Sequence, residues 1–125
     1  KAISNKQISV HSDGSQVRAF CYVSDIVSAF QSALETANGE IINVGNDSYP
    51  ISIKDLAEKI ISLTNSQSQI KFVPFDESNR NRTEIMKRIP DINKAKKILN
   101  YSPKITLDEG IKKVVKYRKE INSNK

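Results

Sequence analysis

Two arginines and one aspartate are the residues of this 125-residue chain whose types and settings best suit chemistry. Arg18 stands at the entrance of a short, mostly apolar stretch, "QVRAFCYV". Arg88 and Asp91 stand three residues apart in "KRIPD", with Pro90 between them. An arginine presents a flat fork of donors that stays charged and matches phosphate geometry. A carboxylate is the natural acceptor for a vicinal sugar diol, as in ribose-binding acids. The proline restricts the backbone between Arg88 and Asp91, which sets the two side chains in a defined relation. One arm for phosphate and one for ribose amount to a nucleotide clamp. Each residue also has a plainer reading. Arg18 reads as an edge-strand surface charge, because arginines are mostly exposed. Arg88 reads as one of several loop cations, and Asp91 as the N-cap of a helix starting at Ile92. On composition and spacing alone the plainer readings are preferred.

Other chemistry lacks its parts. Gly14, Gly39, Gly45 and Gly110 are the four glycines, and they cannot make G-x-G-x-x-G or a P-loop. No tyrosine is followed by a lysine four residues on. His11 is the single histidine, so no Ser/His/Asp set can form. With Cys21 the single cysteine, a His/Cys metal site has too few ligands. Cys21 cannot form an internal disulfide and reads as a small buried hydrophobe, which fits a cytoplasmic origin. No apolar run approaches the ~20 residues of a membrane helix. As it stands, the chain has no self-contained catalytic apparatus.

The net charge of +6 is uneven. Residues 1–86 carry 8 basic and 10 acidic groups, and residues 87–125 carry 12 basic and 4 acidic groups. A positive field in the C-terminal third favours anionic partners, either nucleic acid or phosphorylated small molecules. A small basic nucleic-acid-binding domain is therefore a second function class. It lacks a recognition motif and, with aromatics at 6%, a stacking platform. An interaction module without a ligand is a third. The lysines at 94, 96, 97, 112, 113 and 116 read as solvated helix faces, and Tyr22 as a packed residue.

The elements that must position the two arginines follow from patterning. "QISVHS" (7–12) alternates and predicts a strand. Asp13-Gly14 is a turn signal and 17–23 a second strand, so a hairpin is expected. Ser24 is placed to cap the next helix, with Asp25 in its first turn. Ile26, Val27, Phe30, Ala33, Leu34 and Ala37 recur at helical spacing up to Asn38-Gly39. "EIINVG" (40–45) suits a buried strand. Ser52 with Asp55 opens a helix to about Leu63, with Ile51 and Leu56 at the staple positions. "IKFVPF" (70–75) is the next strand, and strand–helix–strand in that order suggests a parallel unit. Residues 76–90 form a long polar loop. Helices return at Asp91, with Asn100 as a left-handed cap, and at "TLDE" (106–109), a capping box. Residues 122–125 are expected to be a flexible tail. "KAISNKQISV" reads like a helix tail entering a strand, so a fragment of a longer protein is expected. The fold class is α/β: a hairpin, a short parallel β-α-β unit and about four helices.

Three blocks of this sequence resemble one family. "DGSQVRAFCYVSDIVSAF" resembles the segment of extended short-chain dehydrogenases/reductases written G-x-Q-x-R-D-F-x-Y-V-x-D. "GEIINVGN" resembles their G-x-x-x-N-v-G-n strand. "KRIPDINKAKKILNYSPKITLDEGI" resembles the R-x-P-D-i-x-K-A…L-G-w-x-P…L-x-E-G-l ending of their nucleotide-sugar epimerases, dehydratases and decarboxylases. The blocks come in the family's order and cover essentially the whole chain.

The resemblance implies a single substrate-binding lobe, residues 1–125, that lacks its N-terminal Rossmann half. That half would supply NAD or NADP binding and the Tyr-x-x-x-Lys pair for transient oxidation of the sugar, rearrangement and hydride return. The partners it implies are a nucleoside-diphosphate sugar, the chain's own Rossmann domain and, in the intact enzyme, a second copy as a homodimer. Carried over by motif position, Arg18 and Arg88 hold the diphosphate and Asp91 meets the ribose. Asp25 and Asn43 match structural positions. A UDP-glucuronate-decarboxylase-type lyase is the alternative within the family. Two departures stand out. Ala19 replaces the usual acid after the first arginine, and Leu99-Asn100-Tyr101 replaces Leu-Gly-Trp. Asn tolerates the same left-handed turn and Tyr keeps the aromatic. An isolated lobe is also expected to expose the apolar face that packs on its other half.

Overall fold

The computed structural model describes residues 1–74 and 85–123. A single 3-10 turn (Ala2–Ser4) leads into β1 (Ile8–His11) and β2 (Val17–Arg18). Helix α1 (Val23–Thr36) follows, then β3 (Ile51–Ser52) and α2 (Ile53–Thr64). The chain continues through β4 (Ile70–Val73), β5 (Lys87–Arg88), α3 (Asn93–Leu99) and α4 (Leu107–Ser123). The class is α/β with four α-helices among the described residues, as expected. Among these residues no helix is long and apolar enough to cross a membrane.

The strands form two small sheets rather than a hairpin. β1 runs parallel to β4, Ile8 beside Ile70 through His11 beside Val73. β2 lies between β3, antiparallel, and β5, parallel. The Asp13-Gly14 turn does exist. Asp13 accepts from the Ser15 N–H and hydroxyl, and Gly14 is left-handed at φ 74. It moves the chain from one sheet to the other instead of folding it back. The reason is competition for backbone partners. Lys54 N–H donates to Gly14 O, Ile53 N–H to Gln16 O and Val17 N–H to Met86 O. Residues distant in sequence thereby take the bonds that a hairpin would have used. Nor does the expected parallel unit pair 40–45 with 70–75, since β4 takes β1 as its partner.

Residues 40–45 correct a second expectation, because they form no strand among the described residues. Lys94 Nζ donates to Ile41 O and Tyr101 Oη to Gly45 O. Ile42 and Val44 pack inward on the core of Ala29, Ile92, Ala95, Leu99 and Tyr101. Ile41 points outward and is 90% exposed.

Helix α1 divides its apolar residues between two faces. Ala29, Ala33 and Ala37 lie against the core. The bulky Val23, Val27, Phe30 and Leu34 recur at helical spacing on the outside, with Phe30 64% and Leu34 88% exposed. Ile41, in the segment after α1, is a further large apolar residue left exposed. Tyr22, not Ser24, is the N-cap of α1, with no side-chain cap bond; Ser24 already lies in the first turn. Asp25 is buried, and its carboxylate accepts the Ile105 N–H at 3.1 Å, the structural role expected of it.

The helix starts at Ser52 and Thr106 match their sequence signals. Ser52 Oγ accepts the Asp55 N–H at 3.0 Å. Thr106 Oγ1 accepts the Glu109 N–H, and Glu109 accepts the Thr106 N–H at 2.9 Å, a reciprocal capping box. Asn100 is left-handed at φ 49, as expected. Helix α4 runs through Ser123, into the stretch read as a tail. The Thr106 backbone N–H first, then its hydroxyl, with Lys113 and Lys112 assisting, hold the Glu109 carboxyl below its ordinary value of 4.5. A depressed carboxyl stabilises the fold above the unfolded value and loses that effect as pH falls through the folded one. Thr106→Ala removes the hydroxyl that caps the Glu109 N–H and, as the loss of an N-cap side chain, should cost about 1 kcal/mol at neutral pH. The gap from wild type should narrow in urea titrations repeated below about pH 4.5.

Candidate functional site

Strand pairing brings the two arginines together. In the parallel β2–β5 pair, Val17 lies beside Lys87 and Arg18 beside Arg88. Neighbouring strands stand about 4.8 Å apart, and paired residues project from the same face. Seventy residues of sequence thus collapse to one strand spacing. Arg18 is half-buried, and its Nη1 donates to Val17 O at 2.8 Å and Met86 O at 3.5 Å. Arg88 is exposed. Like charges placed directly opposite on neighbouring strands are unfavourable, and an anion between two such guanidinium forks would reverse the sign. The polar loop read over 76–90 is corrected at its end, where Lys87–Arg88 is a strand. Arg80 and Arg82 lie outside the described residues.

Asp91 sits at the start of α3. Its Oδ1 accepts the Asn93 N–H at 2.9 Å, so one carboxylate oxygen does cap the helix, although Ile92 holds the N-cap position itself. The side chain is exposed, on the same short segment as Arg88. Capping does not compete with a second use, because a carboxylate has several acceptor sites.

Two features fix that segment, a core residue expected from the apolar spacing of Ile92, Ala95, Ile98 and Leu99 and a contact that the sequence did not show. Ile92 is fully buried (0% exposed), so the residue after Asp91 is an anchor in the core. Gly45 lies against Pro90, and a Cβ built on it would stand 2.8 Å from Pro90 Cγ. The glycine at the end of an apolar run and the proline of "RIPD" were the available signals, but nothing in sequence joined them. Gly45→Ala should push Pro90 away and cost about 1–3 kcal/mol, read as a lowered urea midpoint. An unchanged midpoint would show that the contact is slack.

Tyr101 closes this region from below. Its Oη donates to Gly45 O at 2.9 Å and lies 3.4 Å from Cys21 Sγ. Burial raises both groups above their ordinary values, and Asp25 adds to each. For Cys21 the Tyr101 hydrogen bond acts in the opposite direction. A raised thiol is a poor nucleophile at neutral pH, consistent with a packed Cys21. Tyr22 is half-buried and lies against Gly110. The six lysines read as solvated are all exposed, and Lys94 and Lys96 pair with Glu40 and Asp47.

The chain has clear relatives. A family model described as GDP-mannose 4,6 dehydratase matches residues 1–114. A UDP-N-acetyl-alpha-D-glucosaminuronate decarboxylase of Bacillus cytotoxicus is 37% identical over 125 residues, covering 98% of this chain and 39% of that protein. The structure of a UDP-glucose 4-epimerase from Thermotoga maritima with UDP-glucose superimposes with TM-score 0.87 at 26% identity, covering 97% of this chain and 37% of that one. A UDP-glucuronic acid 4-epimerase from Bacillus cereus, in complex with UDP-glucuronic acid and NAD, gives 0.82 at 28% identity, covering 95% and 37%. The chain thus spans about two fifths of the length of the first of these relatives.

Proposed function

The chain belongs to the GDP-mannose 4,6-dehydratase family, and from that premise we propose that it is the substrate-binding lobe of an NAD-dependent nucleoside-diphosphate-sugar epimerase, dehydratase or decarboxylase. The observation that carries this reading is the register of β2 and β5, which sets Arg18 beside Arg88. The two guanidinium groups hold the diphosphate, and Asp91 meets the ribose hydroxyls through the side of its carboxylate away from the α3 cap. Ile92 and the Gly45–Pro90 contact keep Arg88 and Asp91 in place. Binding energy from the diphosphate, remote from the reacting carbon, then orients the sugar. The relatives' names favour a uridine nucleotide, and a uronic-acid decarboxylase is the reading kept beside an epimerase.

This chain's residues do not fit NAD. Gly39 lies in an open turn, Gly14 lies against Val10 and Lys54, Gly45 against Pro90, and Gly110 within α4 against Tyr22. None opens a helix after a strand in the way a pyrophosphate cradle requires. The cofactor and the hydride chemistry are therefore assigned to the rest of the enzyme. The exposed face of Val23, Val27, Phe30 and Leu34 on α1 is where that part packs. The 125 residues alone should show no turnover.

Titration of the full-length gene product with UDP-glucuronate, GDP-mannose and a single-stranded oligonucleotide, at two salt concentrations, tests the reading. Saturable binding of a nucleotide sugar is expected. Steeply salt-dependent oligonucleotide binding with no response to either sugar would replace it with the nucleic-acid reading.

A further inference from the structure

Asparagine followed by glycine occurs once in the chain, at Asn38-Gly39. Asparagine is thermolabile, because the amide nitrogen of the next residue can attack its side-chain carbonyl. Glycine suits that attack best, since without a Cβ its nitrogen is the least shielded. The dipeptide lies in the turn after α1, and both residues are exposed. Gly39 is left-handed at φ 71, and apart from its chain neighbours nothing lies within 4 Å of where a Cβ would stand. Among the described residues, neither the Gly39 N–H nor the Asn38 side-chain amide has a hydrogen-bond partner.

Comparable sites are held. Asn65 and Asn100 are also exposed and left-handed. The nitrogen that follows each is tied: Ser66 N–H donates to Ile61 O at 3.0 Å and Tyr101 N–H to Ala95 O at 3.3 Å. A nitrogen fixed in that way cannot turn onto the preceding side chain. Asn46 is buried, and its Oδ1 accepts the Ser48 N–H at 2.9 Å. Asp13-Gly14 could close the same ring, but Asp13 Oδ1 accepts from Ser15 twice and Gly14 is buried against Val10 and Lys54. Only the turn after α1 combines the right residues with an unheld nucleophile among the described residues.

We propose that Asn38 is a self-modification site, at which the Gly39 amide nitrogen converts the asparagine to aspartate and isoaspartate. The Gly39 nitrogen loses its proton and bonds to Asn38 Cγ. The bond from Cγ to Nδ2 breaks, and Nδ2 leaves as ammonia with that proton. Water then opens the cyclic imide. Opening at Cγ gives aspartate on the ordinary main chain. Opening at the main-chain carbonyl gives isoaspartate, in which the chain runs through Cβ and Cγ. Nothing is oxidised or reduced. The product adds a carboxylate between Glu35 and Glu40 at the C-terminal end of α1, where negative charge is unfavourable. In the isoaspartate form the main chain also lengthens just ahead of the stretch that Lys94 holds at Glu40 and at Ile41 O. The site does not depend on what Arg18 and Arg88 bind.

Peptide mass spectrometry on the full-length gene product, kept folded in mildly alkaline buffer, tests it. The Asn38 peptide should gain about one dalton and split into two chromatographic forms, aspartate and isoaspartate. Its conversion should exceed that of the Asn65 and Asn100 peptides at least about tenfold. Raising the pH should speed it, because the attack needs a deprotonated Gly39 nitrogen. Gly39→Ala should slow it at least about tenfold by shielding that nitrogen. Asn38→Gln should abolish the change while leaving the Gly39 turn as it is, which covers the case in which Gly39→Ala fails to fold. An Asn38 peptide converted no faster than that of Asn65 would overturn the proposal. So would conversion seen only in urea, which would mean that the turn is covered in the whole protein. Aspartate without isoaspartate would assign the change to direct hydrolysis and overturn the role of Gly39.

Discussion

Arg88→Ala should leave the thermal stability of the full-length protein level or slightly raised without nucleotide and lower it with nucleotide. Without ligand, the substitution removes one of two like charges set side by side across β2 and β5. Relief of such a pair amounts to a few tenths to about 1 kcal/mol. The melting temperature should therefore stay level or rise slightly. With saturating UDP-sugar, wild type gains stability by mass action, and the variant should lose most of that gain. A hydrogen bond to a charged group contributes about 1.5–3 kcal/mol, so affinity should fall by about ten- to a hundredfold. Arg18→Ala should lower affinity by a similar factor. Its effect on the unliganded protein is mixed, because Arg18 also donates to the carbonyls of Val17 and Met86. Differential scanning calorimetry with and without UDP-glucuronate reads both signs. A variant that melts several degrees lower without ligand yet keeps its ligand-induced rise would mark Arg88 as a structural residue.

The second large effect belongs to Ile92. It is fully buried among Ala29, Ala95, Leu99 and Tyr101. Helix α3 has 7 residues, too few to hold its shape without packing. Ile92→Ala should cost about 2–5 kcal/mol, from lost burial and the cavity left behind. Against a domain stability of roughly 5–15 kcal/mol, that is a large share. The urea midpoint should fall with little change in slope. Because Ile92 follows Asp91 directly, nucleotide affinity should also weaken in the fraction that stays folded. A loss under about 1 kcal/mol would mean that α3 is held by other contacts.

Local signals in the sequence survived where local physics decides the outcome. Ser52 with Asp55, Thr106 with Glu109 and the left-handed Asn100 each bond within a few residues of themselves. Pairing did not survive, because it depends on distant chain. Residues 14–17 draw their partners from 53–54 and 86, so a sound turn signal at Asp13-Gly14 gave the wrong neighbour. "EIINVG" has the composition of a buried strand, yet no described strand runs beside it. The family motifs pointed to Arg18, Arg88 and Asp91, but only the register of β5 set two of them side by side. The apolar spacing of Ile92, Ala95 and Leu99 did signal their burial, whereas Gly45 against Pro90 was silent in sequence, since it is a contact between segments.

The central claim is that this lobe holds a diphosphate with two arginines. Calorimetric titration of the full-length gene product with uridine, UMP and UDP tests it most directly. Affinity should climb with each phosphate, by about ten- to a hundredfold per arginine engaged and so by about a hundred- to ten-thousandfold in all. The climb should flatten when Arg18 and Arg88 are both alanine. Equal affinity for uridine and UDP, or a climb that persists in the double variant, would contradict it.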